Sequence, residues 1–228
     1  MIANRKEFFS GLGMMVVFAV VLVLIFSPLY GGKNGLQYLD NLFNSISKGS
    51  ANYQDMVQEK AKAMEGFAFE VTMEPVNAEM DEAIASVLRS AGATVTQVDG
   101  GLKVAGDLGG VLGAATQDSK DMYLNQGQAV AQRRNMEERL ALYTWYKVLT
   151  KLEKQLTRQE LFDKAAEVSK INKRGLETAY NYYGIEAQKA SDKMLIIVAC
   201  LVFYVVYTLW YGFSILFMFE GWGLKLEH

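Results

Sequence analysis

The chain has 228 residues, and its net charge of −2 leaves no electrostatic footprint for nucleic acid. Apolar residues make up 51% of it but gather in two blocks free of charge, which excludes a soluble core as their destination. The single cysteine, Cys200, lies inside the second block, so disulfides and thiolate metal sites are excluded from the residues between the blocks.

Residues 1–10 are the expected cytoplasmic N-terminus, and residues 11–30, from Gly11 to Tyr30, are the first block. Roughly 20 apolar residues at 1.5 Å each match a hydrocarbon core of about 30 Å, so a transmembrane helix is predicted. A cleaved signal peptide is the rival, because Arg5 and Lys6 precede the run. The run is longer than such peptides use, and Ser27-Pro28-Leu29-Tyr30-Gly31-Gly32 offers no small-x-small cleavage site, so a retained anchor is expected. Arg5 and Lys6 favour a cytoplasmic N-terminus, which sends the following residues across the membrane.

In residues 31–65, Leu36, Leu39, Phe43 and Ile46 recur at three- and four-residue steps. They predict an amphipathic helix with a bend near Lys48-Gly49-Ser50. Residues 66–110 change character. Phe67 to Met73 is β-rich and stops at Pro75, and Asn77 can cap a helix whose first turn holds Glu79, Asp81 and Glu82. Thr94–Val98 and Leu102–Val104 flank Asp99-Gly100-Gly101, a hairpin signal. The result is a small β-α-β-β unit, which must pack on neighbouring helices or on a second copy.

Residues 111–193 carry a helical composition, with no proline and few glycines after Gly113. Leu142, Trp145, Leu149, Leu152 and Leu156 are spaced 3, 4, 3, 4 and read as the seam of a stalk. Thr157-Arg158-Gln159-Glu160 fits a capping box opening a second helix, so a long antiparallel hairpin is expected. If that helix runs unbroken from Glu160 to Phe219 it measures about 90 Å.

Residues 194–219 are the second apolar block, again a predicted transmembrane helix. Here Tyr204, Tyr207, Thr208, Tyr211 and Ser214 collect on one helical face. Hydroxyls in hydrocarbon seek partners, so this face is the expected membrane-helix contact, with other subunits as its expected partners. Residues 220–228 are a short cytoplasmic tail. Leu226-Glu227-His228 resembles the start of a purification tag, which sets the sole histidine aside.

Motifs that could carry chemistry all have plainer readings. Gly100, Gly101, Gly106, Gly109, Gly110 and Gly113 lack the spacing of a phosphate loop and read as turn glycines. Arg133, Arg134, Glu137, Glu138 and Arg139 read as a solvated face, and Asp118 and Asp121 lack the alternating ligands of a calcium loop. Tyr143, Tyr146, Tyr180, Tyr182 and Tyr183, with Trp145, suit helix packing or the bilayer surface better than a ligand cleft.

The expected fold class is therefore a mainly α membrane protein: two transmembrane helices bracket an exported domain made of a long helical hairpin plus the β-α-β-β unit. No catalytic residue, metal site or cofactor is assigned, and no enzyme is expected. The expected function is that of a bacterial inner-membrane protein, with a periplasmic central domain and both termini cytoplasmic. It would self-assemble as a homo-oligomer or anchor an envelope complex, its partners being lipid and other membrane or periplasmic subunits. The alternative is a sensor subunit whose exported domain binds a ligand or protein and signals through a separate partner.

Overall fold

The computed structural model describes residues 2–224, so the tag-like Leu226-Glu227-His228 lies outside the described residues. The chain is mostly helical with one small sheet, and it divides into two compact units, residues 50–186 and the two flanking stretches together.

The flanking unit holds α1 (Arg5–Phe26), α2 (Gly35–Ser50) and α10 (Met194–Trp222), and α1 and α10 are each long and apolar enough to cross a membrane. Asn4 caps α1 by accepting from the N–H groups of Lys6 and Glu7, and its own N–H donates to the Gly221 carbonyl at 2.9 Å. The start of α1 therefore meets the end of α10, and the two helices pair antiparallel. Glycine permits the approach: a Cβ on Gly11 would stand 2.7 Å from the Ser214 oxygen, and one on Gly221 would stand 2.4 Å from the Phe8 nitrogen.

The central unit runs α3 (Gln54–Lys62), β1 (Ala68–Met73), α4 (Ala78–Ser90), β2 (Thr94–Val98), β3 (Gly101–Asp107), α5 (Leu108–Tyr123), α6 (Gly127–Arg134), α7 (Glu138–Arg158), α8 (Phe162–Ile171), a π-helical turn (Asn172–Glu177) and α9 (Thr178–Tyr182). Asn77 accepts from the Met80 N–H as the α4 cap, and Gly92 ends that helix with a φ of 84°. Gly100 and Gly101, both at positive φ, turn the β2–β3 hairpin.

The sheet is antiparallel in the order β1-β3-β2, with Val71 opposite Val104 and Met73 opposite Leu102. Alternation along β1 buries Phe69, Val71 and Met73, while Glu70 and Thr72 face outward and Glu70 pairs with Lys103. The sheet's inner face packs on its own chain's helices, among Ile84, Leu88, Leu108, Leu112, Trp145 and Leu149. A second copy is not needed to cover it.

Three expectations about the long helices are corrected. The residues after Val111 do not form one helix to Arg158: Asn125 (φ 61°) and Asn135 (φ 51°) adopt the left-handed conformation and divide them into α5, α6 and α7. Thr157–Glu160 makes no capping box. The Thr157 hydroxyl turns back to the Glu153 carbonyl, Glu160 takes a φ of 62°, and α8 begins only at Phe162. Nor does one helix run from Glu160 to Phe219. It ends at Tyr182, because Asn125 Oδ1 accepts the N–H of Gly184 (φ 84°) and Asn125 Nδ2 donates to the Ile185 carbonyl. An extended stretch and a 3-10 turn (Ala190–Lys193) then lead into α10.

Candidate functional site

The polar-aromatic face expected on the second span is split by the structure. Tyr207 stacks on Phe18 of α1 with ring centroids 4.2 Å apart, and its hydroxyl donates to the Phe18 carbonyl at 3.4 Å. Tyr211 also lies against Phe18, at 5.2 Å, and Ser214 is buried beside Gly11. These three residues lie against the chain's own α1. Tyr204 remains 68% exposed, and the Thr208 hydroxyl returns to the Tyr204 carbonyl, satisfying itself within the helix.

The residues of the predicted stalk seam are buried throughout, in a core that α7 shares with α8, α4 and the sheet. Leu142, Trp145, Leu149, Leu152 and Leu156 are all at most 1% exposed, packed with the sheet, α4 and α8.

Of the charge run, Arg133, Glu137 and Arg139 stay exposed, and Arg134 is the departure from a solvated face. Arg134 is buried: its Nε donates to Asp118 Oδ2 at 2.6 Å, and its guanidinium also bonds the Ser90 hydroxyl. Arg133 bridges Asp118 and Asp121, and the Trp145 indole donates to Asp118 at 2.7 Å. The two aspartates are thus neutralised by arginines, and among the described residues no group of three metal-ligating side chains occurs. The glycine-rich stretch offers no phosphate cradle. The N–H groups of Leu108, Gly109 and Gly110 at the start of α5 already bond Phe67, Met64 and Asp107.

The outer side of α7 is open. Its first half borders a groove of about 280 Å³ between α7 and α9, lined by Leu142, Tyr143, Tyr146, Leu176, Glu177 and Tyr180 with Asn181. Leu142 and Leu176 form a buried floor and the tyrosines the walls. Arg139 stands 5.7 Å from the Tyr180 ring and Lys147 stands 5.0 Å from the Tyr143 ring, so the tyrosine faces already carry cations. Tyr182 and Tyr183 turn inward. The Tyr183 hydroxyl donates to Glu138 and sits where a side chain on Gly127 would be, and burial with that carboxylate contact raises its pKa.

The second half of α7 borders another groove, of about 240 Å³, lined by Glu74, Val76, Lys147, Thr150, Lys151, Lys154 and Gln155. Lys147, Lys151, Lys154 and Arg158 follow steps of four, three and four and so share one helical face. Glu74 is the acidic partner of that row. The hydrogen bond from Lys154, then that from Arg158, lowers its pKa, while Lys151 bonds its carbonyl. Lys147, which lines the second groove, stands over the ring of Tyr143, which lines the first. Beneath Thr150, buried Asn172 donates to the Thr150 hydroxyl at 3.0 Å, and its Oδ1 has no hydrogen-bond partner among the described residues.

Sequence reasoning identified the tyrosines but missed the lysine row, whose helical spacing was its available signal. The π-helical turn that brings Leu176, Glu177 and Tyr180 across from α7 left no such signal. Its Gly175 lies where a Cβ would meet Val57 at 3.2 Å, a tertiary fit and not a local motif.

No family model, curated protein or solved structure matches this chain.

Proposed function

We propose that this protein is a non-enzymatic docking subunit of the bacterial inner membrane. Its two spans anchor it with both termini in the cytoplasm, and its central unit holds a partner protein on the periplasmic side. Arg5 and Lys6 support that orientation, as does the meeting of Asn4 with Gly221, which keeps the ends of the two spans together.

The observation that carries the docking role is the outer face of α7, where a tyrosine-walled groove adjoins a lysine row. Apolar pockets with aromatic walls supply anchoring surface, and like charges beside them select partners of opposite sign. The occupant that fits is a polypeptide segment presenting an aromatic or aliphatic side chain, followed by acidic residues.

The test is photocrosslinking in living cells, with p-benzoylphenylalanine in place of Tyr146 or Tyr180 and, as the control, of Thr72 on the outer sheet face. A discrete protein adduct from the groove positions, absent from the control and reduced by Lys151→Glu with Lys154→Glu, is expected. Adducts equal to the control overturn the docking role. Adducts to a second copy of this chain alone replace it with self-assembly. The sensor reading is favoured instead if small-molecule ligands raise the melting temperature while no adduct forms.

A further inference from the structure

The two edges of the sheet are finished differently. Asp99-Gly100 is a two-residue turn, so Val98 and Gly101 are the hydrogen-bonded pair that closes the hairpin, and Thr96 with Lys103 and Thr94 with Ala105 continue that pattern. The N–H and C=O groups of Val95 and Gln97 therefore point away from β3, to the free edge. On the other side of β3, Leu102 and Val104 bond β1, which turns the Glu70 carbonyl outward. That edge is covered. Gln159 donates to the Glu70 carbonyl at 2.9 Å, Lys151 donates to the Glu74 carbonyl just past β1, and Pro75 follows.

No such cover reaches β2. Among the described residues, the N–H and C=O groups of Val95 and Gln97 form no hydrogen bond, and the next outward N–H, that of Ala93, already bonds the Leu88 carbonyl at 3.0 Å. Sheet edges are ordinarily guarded by charge, proline or a bulge. Thr94-Val95-Thr96-Gln97-Val98 holds neither charge nor proline, and its register on β3 runs without a bulge. The open groups of Val95 and Gln97 stand two residues, or about 6.8 Å, apart, which is the repeat of another extended strand.

The strand is its own complement. Val95 and Gln97 flank Thr96 symmetrically, so a second β2 laid antiparallel and centred on Thr96 sets Val95 against Gln97 at both ends. Those pairs exchange all of the open N–H and C=O groups. Thr96 then faces Thr96, and Thr94 faces Val98, β-branched pairs that favour sheet contact. Pairing through a two-fold axis at Thr96 also spares any repulsion, because β2 has no charge to set against its like.

We infer that β2 is a self-association edge, through which two copies of this chain join antiparallel into one continuous sheet of order β1-β3-β2-β2-β3-β1. The pairing is independent of what the grooves on α7 hold, because β2 lines neither of them.

The test uses the full chain in detergent, with Cys200→Ser removing the native thiol. Thr96 is exposed, and in a non-hydrogen-bonded antiparallel pair the Cα atoms stand about 4.5 Å apart, within disulfide reach. On mild oxidation Thr96→Cys is expected to give a disulfide-linked dimer in several-fold excess over Thr72→Cys, on the outer face of β1. Thr94→Cys and Val98→Cys should each crosslink poorly alone and well when the two chains are mixed, which reports the register. No excess at position 96 overturns the inference, as does crosslinking of Thr94→Cys alone to the same yield. A second measurement leaves Cys200 in place. Thr96→Lys and Thr96→Glu chains, each with the circular dichroism of the unsubstituted protein, should have the mass of a monomer by light scattering, and their mixture the mass of a dimer. A mixture that stays monomeric overturns the inference, as do single variants that dimerise like the unsubstituted chain.

Discussion

The indole Nε1 of Trp145 donates to Asp118 Oδ2 at 2.7 Å inside the central unit, where both residues are fully buried. The same carboxylate receives Arg134, whose side chain is 4% exposed, and Arg133 from the rim. Asp118 is thus the shared acceptor that joins α5, α6 and α7. Removing one member of a buried ion pair leaves its partner charged and desolvated, which costs about 3–5 kcal/mol. Asp118→Ala is expected to destabilise the detergent-solubilised chain by that order, read from urea unfolding followed by circular dichroism. Replacing Asp118 and Arg134 together with Leu and Met should recover a good part of the loss, because the orphaned charge is then gone.

Acid should weaken the contact between α3 and α8. Glu167 bonds Lys60 across the two helices and Lys170 within α8, and the Lys60 hydrogen bond, then the Lys170 one, holds its pKa below the usual glutamate range. A depressed carboxylate pKa gives stability that is complete above the unfolded value of about 4.3 and is lost as pH falls through the folded value. Both side chains are about a quarter exposed, at 28% and 26%, so screening limits the pair to about 1 kcal/mol or less. Glu167→Gln should lower stability slightly at neutral pH and flatten the loss below pH ~4, measured as melting temperature against pH.

The pairing of the spans should be sensitive to glycine position and not to glycine content. Gly11→Ala and Gly221→Ala each place a methyl group into the backbone of the opposite helix, whereas Gly13 and Gly212 have nothing within 4 Å of an added Cβ. A disulfide between Phe18→Cys and Tyr207→Cys, in a Cys200→Ser background, reports the pairing. Its yield should fall with alanine at 11 or 221 and hold with alanine at 13 or 212. Tyr204→Leu, on the exposed face, should also leave it unchanged.

The sequence carried the local elements well and their destinations poorly. Asn77, Gly92 and the Gly100–Gly101 turn announce the β-α-β-β unit because each acts through its own backbone. Asn125, Asn135 and Glu160 break helices for another reason: a left-handed residue there is held by what surrounds it, as when Asn125 bonds both Gly184 and Ile185. The apolar spacing of Leu142 to Leu156 was readable, but spacing alone does not say whether a sheet or a helix covers it. On α10 the hydroxyl face was visible, while the discrimination between Tyr207, which meets Phe18, and Tyr204, which does not, needed the position of α1. The tyrosine groove depends on a π-helical turn that no periodicity reveals.

The pairing of Gly11 with Ser214 also sets a clock. Some two hundred residues separate them in the chain, and at roughly 5–20 residues per second α1 emerges about 10–40 s before its partner. Throughout that interval α1 has no α10 to pair with. From Phe8 to Phe26 it carries no charge and a single hydroxyl, Ser10 near its start, so waiting strands no charged group. The hydroxyl-bearing span comes second, arriving when a companion is already in place to receive Tyr207. Order of synthesis thus falls on the side of the helix that can tolerate solitude.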